Sequence, residues 1–197
     1  MNNNFRQTLF SQSSETLAGI KPSNLFSTAK TFADDKYLLN ILHNNNIEVK
    51  VLNENKLSSL ILIYNRELLT KILEDNEVKE ILWEFGYKNF SCEKILNKLS
   101  QKFNSDSFPH EIGLLLGYPP EDVKSFIKNE GKECKHCKLW KVYSKEDSAR
   151  FKMNEYYKCR ECFKNLYKKN SDVSKIIKYY KNEKVKYDFL NDFNGIY

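Results

Sequence analysis

The feature that most limits the fold is a change of period between residues 47 and 64. Ile47, Val49 and Val51 alternate with Glu48 and Lys50, which puts the apolar residues on one face of a half-buried strand. A polar "NENK" turn follows, then "LSSLILIY" at 57–64, whose near-continuous apolar run reads as a second, more deeply buried strand. Two strands joined by a short polar turn predict an antiparallel hairpin. The sequence on both sides of it has helical period. The class is therefore α+β: a mostly helical body around a small antiparallel hairpin or sheet.

The helices can be placed by their punctuation. Residues 14–18 suggest a short helix or turn. Gly19 and the Lys21-Pro22 step then argue for a loop, because proline biases the residue before it away from helical dihedrals. Leu38, Leu39, Ile41 and Leu42 mark a helix within 32–44. After the hairpin, Asn65 and Ser91 stand where N-caps belong, and Gly86 and Gly131 where helices stop. In "FPHEIGLLLGYPPEDV" at 108–123, Pro109 fits a first helical position and Pro120 opens the next helix. Gly113 lies inside the first of these, where glycine costs about 1 kcal/mol against alanine. That cost implies a close approach to the backbone.

Four of the five cysteines form two C-x2-C pairs, Cys134/Cys137 and Cys159/Cys162, with 21 residues between the pairs. Two thiolates three residues apart can reach one ion at about 2.3 Å. Four such ligands predict a tetrahedral site, zinc as its usual occupant, and a structural role because no coordination position stays open. The expected architecture is thus a body over 13–131 and a basic C-terminal segment over 132–187 packed on it. That segment would hold the four-cysteine metal knuckle, followed by a helix.

Charge follows the same division. Residues 132–187 hold 17 Lys and Arg against 7 Asp and Glu, a net +10, so the rest of the +6 chain carries −4. Lysines there alternate with Tyr167, Tyr179, Tyr180 and Tyr187. That pattern suits nucleic acid, and equally a helix whose lysines face water. No apolar run is long enough to span a bilayer and no secretory start is evident. The expectation is a cytoplasmic protein that does not engage membranes, with cysteines serving metal or free thiols rather than disulfides.

Three stretches, "TLAGIKPSNLF" (16–26), "LILIYNRELLTKILEDNEVKEILWEFGY" (60–87), and "FPHEIGLLLGYPPEDVKSFIKNEGK" continuing to "WKVY" (108–143), resemble the domain of unknown function 3793 family of anaerobic bacteria. The resemblance spans roughly residues 13–165 and carries no established activity. It implies a role around iron or haem handling. It also marks the polar residues embedded in those stretches as candidates: Thr16, Lys21, Asn24, Arg66, His110 and Glu111. If they converge, Lys21 and Arg66 supply positive charge for a small anionic or haem-like ligand, His110 a titrating or metal-ligating imidazole, and Glu111 either orients it or caps the helix.

Adjacent helical residues point about 100° apart, so His110 and Glu111 are poorly placed to share a proton. No Gly-rich phosphate loop or nucleophile motif is present, and the pattern leans away from an enzyme. The functional expectation is a ligand-binding or accessory protein of iron or haem metabolism, with a basic nucleic-acid-binding segment as the alternative.

Overall fold

In the computed structural model, residues 3–105, 107–169 and 172–181 are described. A three-stranded antiparallel sheet in the order β1-β3-β2 divides two helical layers. Its strands are β1 (Ser23–Ala29), β2 (Ile47–Glu54) and β3 (Ser58–Asn65). The predicted hairpin is β2–β3, in register Ile47↔Asn65 through Glu54↔Ser59 with a bulge between Val51 and Asn53. On its other edge β3 pairs with β1, Ser23↔Tyr64 through Ala29↔Ser58.

The continuous apolar run of β3 follows from its central position. Ile61 and Ile63 face one helical layer, and Leu60, Leu62 and Tyr64 face the other. A strand buried on both sides has no polar face to alternate with. The first layer holds α1 (Asn3–Leu17), α2 (Lys36–His43), α8 (Glu146–Lys169) and α9 (Val173–Lys181). Their shared core includes Leu9, Leu17, Leu42, Phe163 and Ile177. The second layer holds α3 (Arg66–Glu74), α4 (Asn76–Glu84), α5 (Cys92–Phe103), α6 (Ile112–Leu115) and α7 (Pro120–Lys128). Leu69, Leu82, Tyr87, Leu99 and Leu115 fill it. A two-residue hairpin, β4 (His136–Cys137) with β5 (Lys141–Val142), links α7 to α8.

The opening of the chain differs from expectation. Instead of a short helix and a loop, α1 runs to Leu17 and β1 occupies 23–29. α1 kinks at Ser13 (φ −138°, ψ 18°), where the Ser13 hydroxyl donates to Leu9 O at 2.5 Å and that of Ser14 to Phe10 O. Such back-bonding bends helices. Asn65 does cap α3, accepting from Leu68 N at 3.0 Å. Ser91 occupies the N-cap position of α5 without a side-chain bond.

Among the described residues, the four cysteines of the basic segment are not gathered into a metal knuckle. Cys159 lies on the buried face of the long helix α8, in the core with Phe163 and Tyr180. Cys162 is half-buried on the same helix. Cys134 and Cys137 are joined to each other as a disulfide in the β4 turn. Among the described residues, no group of three or more His, Cys, Asp and Glu side chains is disposed to hold a metal ion. The expected four-cysteine centre is therefore replaced by one cysteine pair in a hairpin and two core-facing helical thiols. Cysteines three apart, such as Cys159 and Cys162, also share a helix face. No helix among the described residues is long and apolar enough to cross a membrane.

Candidate ligand cleft

The sequence-predicted residues do not meet at one point. Arg66 starts α3, largely exposed, and its guanidinium pairs with Glu48 Oε1 at 2.6 Å. It borders a separate cavity of about 460 Å³ with Lys50, Tyr64 and Cys92. Thr16 donates its hydroxyl to Asn24 Oδ1 at 2.6 Å, a buried bond that ties α1 to β1. Lys21 is buried, with its ammonium 5.6 Å from the Tyr118 ring centre and 5.9 Å from that of Tyr156. Burial pushes the Lys21 amine down to about 8, against the pull of Glu15. Glu15 is itself fully buried and accepts from Arg160. One Glu15 oxygen and the Tyr156 hydroxyl are buried without a hydrogen-bond partner among the described residues.

His110 stands apart from that cluster, at a cleft of about 380 Å³ between α6–α7 and the β4–β5 hairpin. Such a volume lies within the usual range for small-molecule sites. The His110 ring packs between Phe108 (centroids 5.3 Å apart) and Phe126 (5.1 Å) and remains exposed. The opposite wall carries Trp140, stacked on Tyr118 at 5.3 Å and 21°, with Lys138, Lys141 and Cys137 along the hairpin.

Asp122 holds the two walls together. It sits in the first turn of α7 and is 2% exposed. Its Oδ2 accepts from Trp140 Nε1 at 2.9 Å, and its Oδ1 from Tyr143 N at 2.8 Å and Ser144 N at 3.0 Å. Charge-assisted bonds of this kind are the strong ones, and these fix the indole relative to α7. Tyr118 adds a bond from its hydroxyl to Leu139 O at 3.3 Å. Lys141 donates to Gly131 O at 2.5 Å, which ties the hairpin to the end of α7.

Two expectations about the cleft change. Glu111 neither caps a helix nor orients His110. It is buried and accepts from Tyr87 Oη at 3.1 Å and from Lys102, anchoring the 108–112 turn to α5. Burial beside Glu111 pushes the Tyr87 phenol far up. The close approach demanded by Gly113 comes from the fold itself: a Cβ there would lie 2.9 Å from Val123 Cγ2 and 3.2 Å from Tyr118 Cδ2. Gly113 also borders the cleft, so the missing side chain seats α7 and keeps the floor open.

Asp122, Tyr118, Phe126 and Trp140 were not singled out by sequence reasoning. The usable signal lay in "WKVY" together with "PPED": a buried indole needs an acceptor, and an aspartate in a first helical turn can turn inward to supply it.

The lysine and tyrosine interleaving of the last third has a packing explanation in part. Tyr180 is buried, Tyr167 stacks on Phe10 at 4.7 Å, and Tyr179 is exposed. Tyr187 and the rest of 182–187 lie outside the described residues.

No curated protein and no solved structure matches the chain. Residues 9–177 match the family described as a protein of unknown function (DUF3793), and the chain belongs to that family.

Proposed function

We propose that this protein binds a flat, largely apolar ligand bearing anionic groups in the cleft between α6–α7 and the β4–β5 hairpin, and that haem is the ligand class to test first. The observation that carries this reading is the His110 imidazole, held between Phe108 and Phe126 at the edge of an aromatic-walled cavity of about 380 Å³. Aromatic walls suit a planar ring system. An exposed, ring-oriented imidazole suits the iron at its centre. Lys138, on the hairpin, offers positive charge to peripheral carboxylates. Lys21 and Arg66 take no part. The role is binding or delivery in iron or haem metabolism rather than turnover: Glu111, the carboxylate next to His110 in sequence, is turned away to Tyr87 and Lys102.

Haemin titrated into purified protein tests it. The expected result is a saturable Soret shift that disappears in His110→Ala while the fold is retained. An unchanged spectrum, or the same change in His110→Ala, contradicts the reading.

A further inference from the structure

The five cysteines fall into two groups. Burial pushes the Cys92, Cys159 and Cys162 thiols up, which keeps them protonated and unreactive. Cys134 and Cys137 are different. They are joined as a disulfide with Cα atoms 6.6 Å apart. Cys137 is exposed, forms part of β4 opposite Lys141, and lines the cleft. Lys135 lies between the two cysteines and Lys138 follows Cys137, and positive charge favours the thiolate that disulfide exchange requires. The bond closes a very short loop, the kind that constrains an unfolded chain least. As a staple for the fold it contributes little; as an accessible C-x2-C pair it has the arrangement that redox exchange uses.

We propose that Cys134 and Cys137 are a reversible dithiol–disulfide couple, exchanging with low-molecular-weight disulfides and thiols, and that its state reshapes the hairpin wall of the cleft. Oxidation begins when the Cys137 thiolate attacks one sulfur of the external disulfide, and the other sulfur leaves as a thiolate and takes a proton. The Cys134 thiolate then displaces the second external thiolate from Cys137 Sγ. One protein S–S bond forms, one external S–S bond breaks, the protein loses two electrons and two protons, and two external thiols result. Reduction by excess external thiol runs the same steps backward. The link to the cleft is the hairpin. Lys135 N donates to Val142 O at 2.8 Å and Lys138 N to Trp140 O at 3.3 Å, so the disulfide pins the segment that presents Trp140. The redox site stands without the ligand reading. Its consequence for ligand affinity rests on that reading: the oxidised form, with the wall held in place, binds about fivefold tighter through pre-organisation.

Full-length protein in a Trp83→Phe background, equilibrated across ratios of reduced to oxidised glutathione, tests the proposal. Alkylation and mass spectrometry read the thiols, and emission reads Trp140. The expected result is that Cys134 and Cys137 titrate together as one two-electron couple, Trp140 emission moves with them, and the other three cysteines stay reduced. Cys137→Ser, folded by circular dichroism, removes the transition. A pair that stays dithiol in excess oxidised glutathione, emission that does not follow the couple, or stoichiometric zinc shielding the thiols until chelated overturns the proposal. Haemin added to both forms separates the two ideas. Equal affinities end the linkage, whereas no binding in either form ends the ligand reading and leaves the thiol titration to decide the redox site.

Discussion

Asp122 shows how much one buried side chain can organise. It accepts from an indole, two backbone amides and the Ser144 hydroxyl, and truncating it leaves those donors without their acceptor. Asp122→Ala should cost about 3 kcal/mol in urea denaturation, the scale of losing a buried charged hydrogen-bond partner. It should also release Trp140, visible as a red-shifted emission. Lys21 makes a second test at this scale. Its folded pKa is depressed to about 8 from 10.5 by burial, so between those values the unfolded chain holds more protons than the folded one. Stability then rises with pH through that window. The full difference is about 3 kcal/mol, from roughly 1.36 kcal/mol per pKa unit. Lys21→Met should flatten the rise between pH 8 and 10. Above pH 10 the raised tyrosines, Tyr118 and Tyr156 among them, work the other way. A wild-type curve as flat as that of Lys21→Met would contradict the buried cation.

At the scale of elements, what was legible depended on whether polar residues faced outward. The β2–β3 hairpin could be read because Glu48 and Lys50 mark a half-solvated face. β1 could not, because its buried positions include Ser23, Asn24 and Thr28, satisfied by bonds such as Ser23 Oγ to Leu115 O at 2.7 Å. α1 was read too short for the same reason: Ser13, Ser14, Glu15 and Thr16 are fully buried, yet such polar residues suggested no more than a short helix or turn over 14–18. His110 and Gly113 do border the same hollow, and a glycine inside a helix is a signal that sequence can show. Lys21 and Arg66 were drawn by their place in the stretches that carry the family resemblance and by their charge, and neither says where in the fold a side chain ends up. The spacing of Cys159 and Cys162, read as half of a metal site, also fits one helical face. Gly117, just beyond α6, gives the prediction here. Its φ is +76° and a Cβ would lie 2.7 Å from Pro22 Cγ and Cδ. Gly117→Ala should therefore destabilise by about 2 kcal/mol or more, through strain and overpacking together. A melting temperature within about a degree of wild type, well below the shift that such a loss gives, would show that the contact yields.

For the whole molecule, the sheet buried on both faces makes the two helical layers one cooperative unit. Phe163 on α8 is fully buried against Phe10 and Tyr180, and Trp83 lies in α4 on the opposite layer. Phe163→Ala should cost about 3–5 kcal/mol and lower the unfolding midpoint reported by Trp83 as much as that reported by Trp140. Separate midpoints would mean that the layers unfold independently. The cleft that the two layers support is probed most sharply by nuclear magnetic resonance of histidine-labelled protein during titration with diamagnetic zinc protoporphyrin. The chain has three histidines, so each ring can be followed. A planar ligand seated against His110 should give its imidazole a large ring-current shift and leave His43 and His136 little changed. A porphyrin that binds while His110 stays unmoved would rule that seat out.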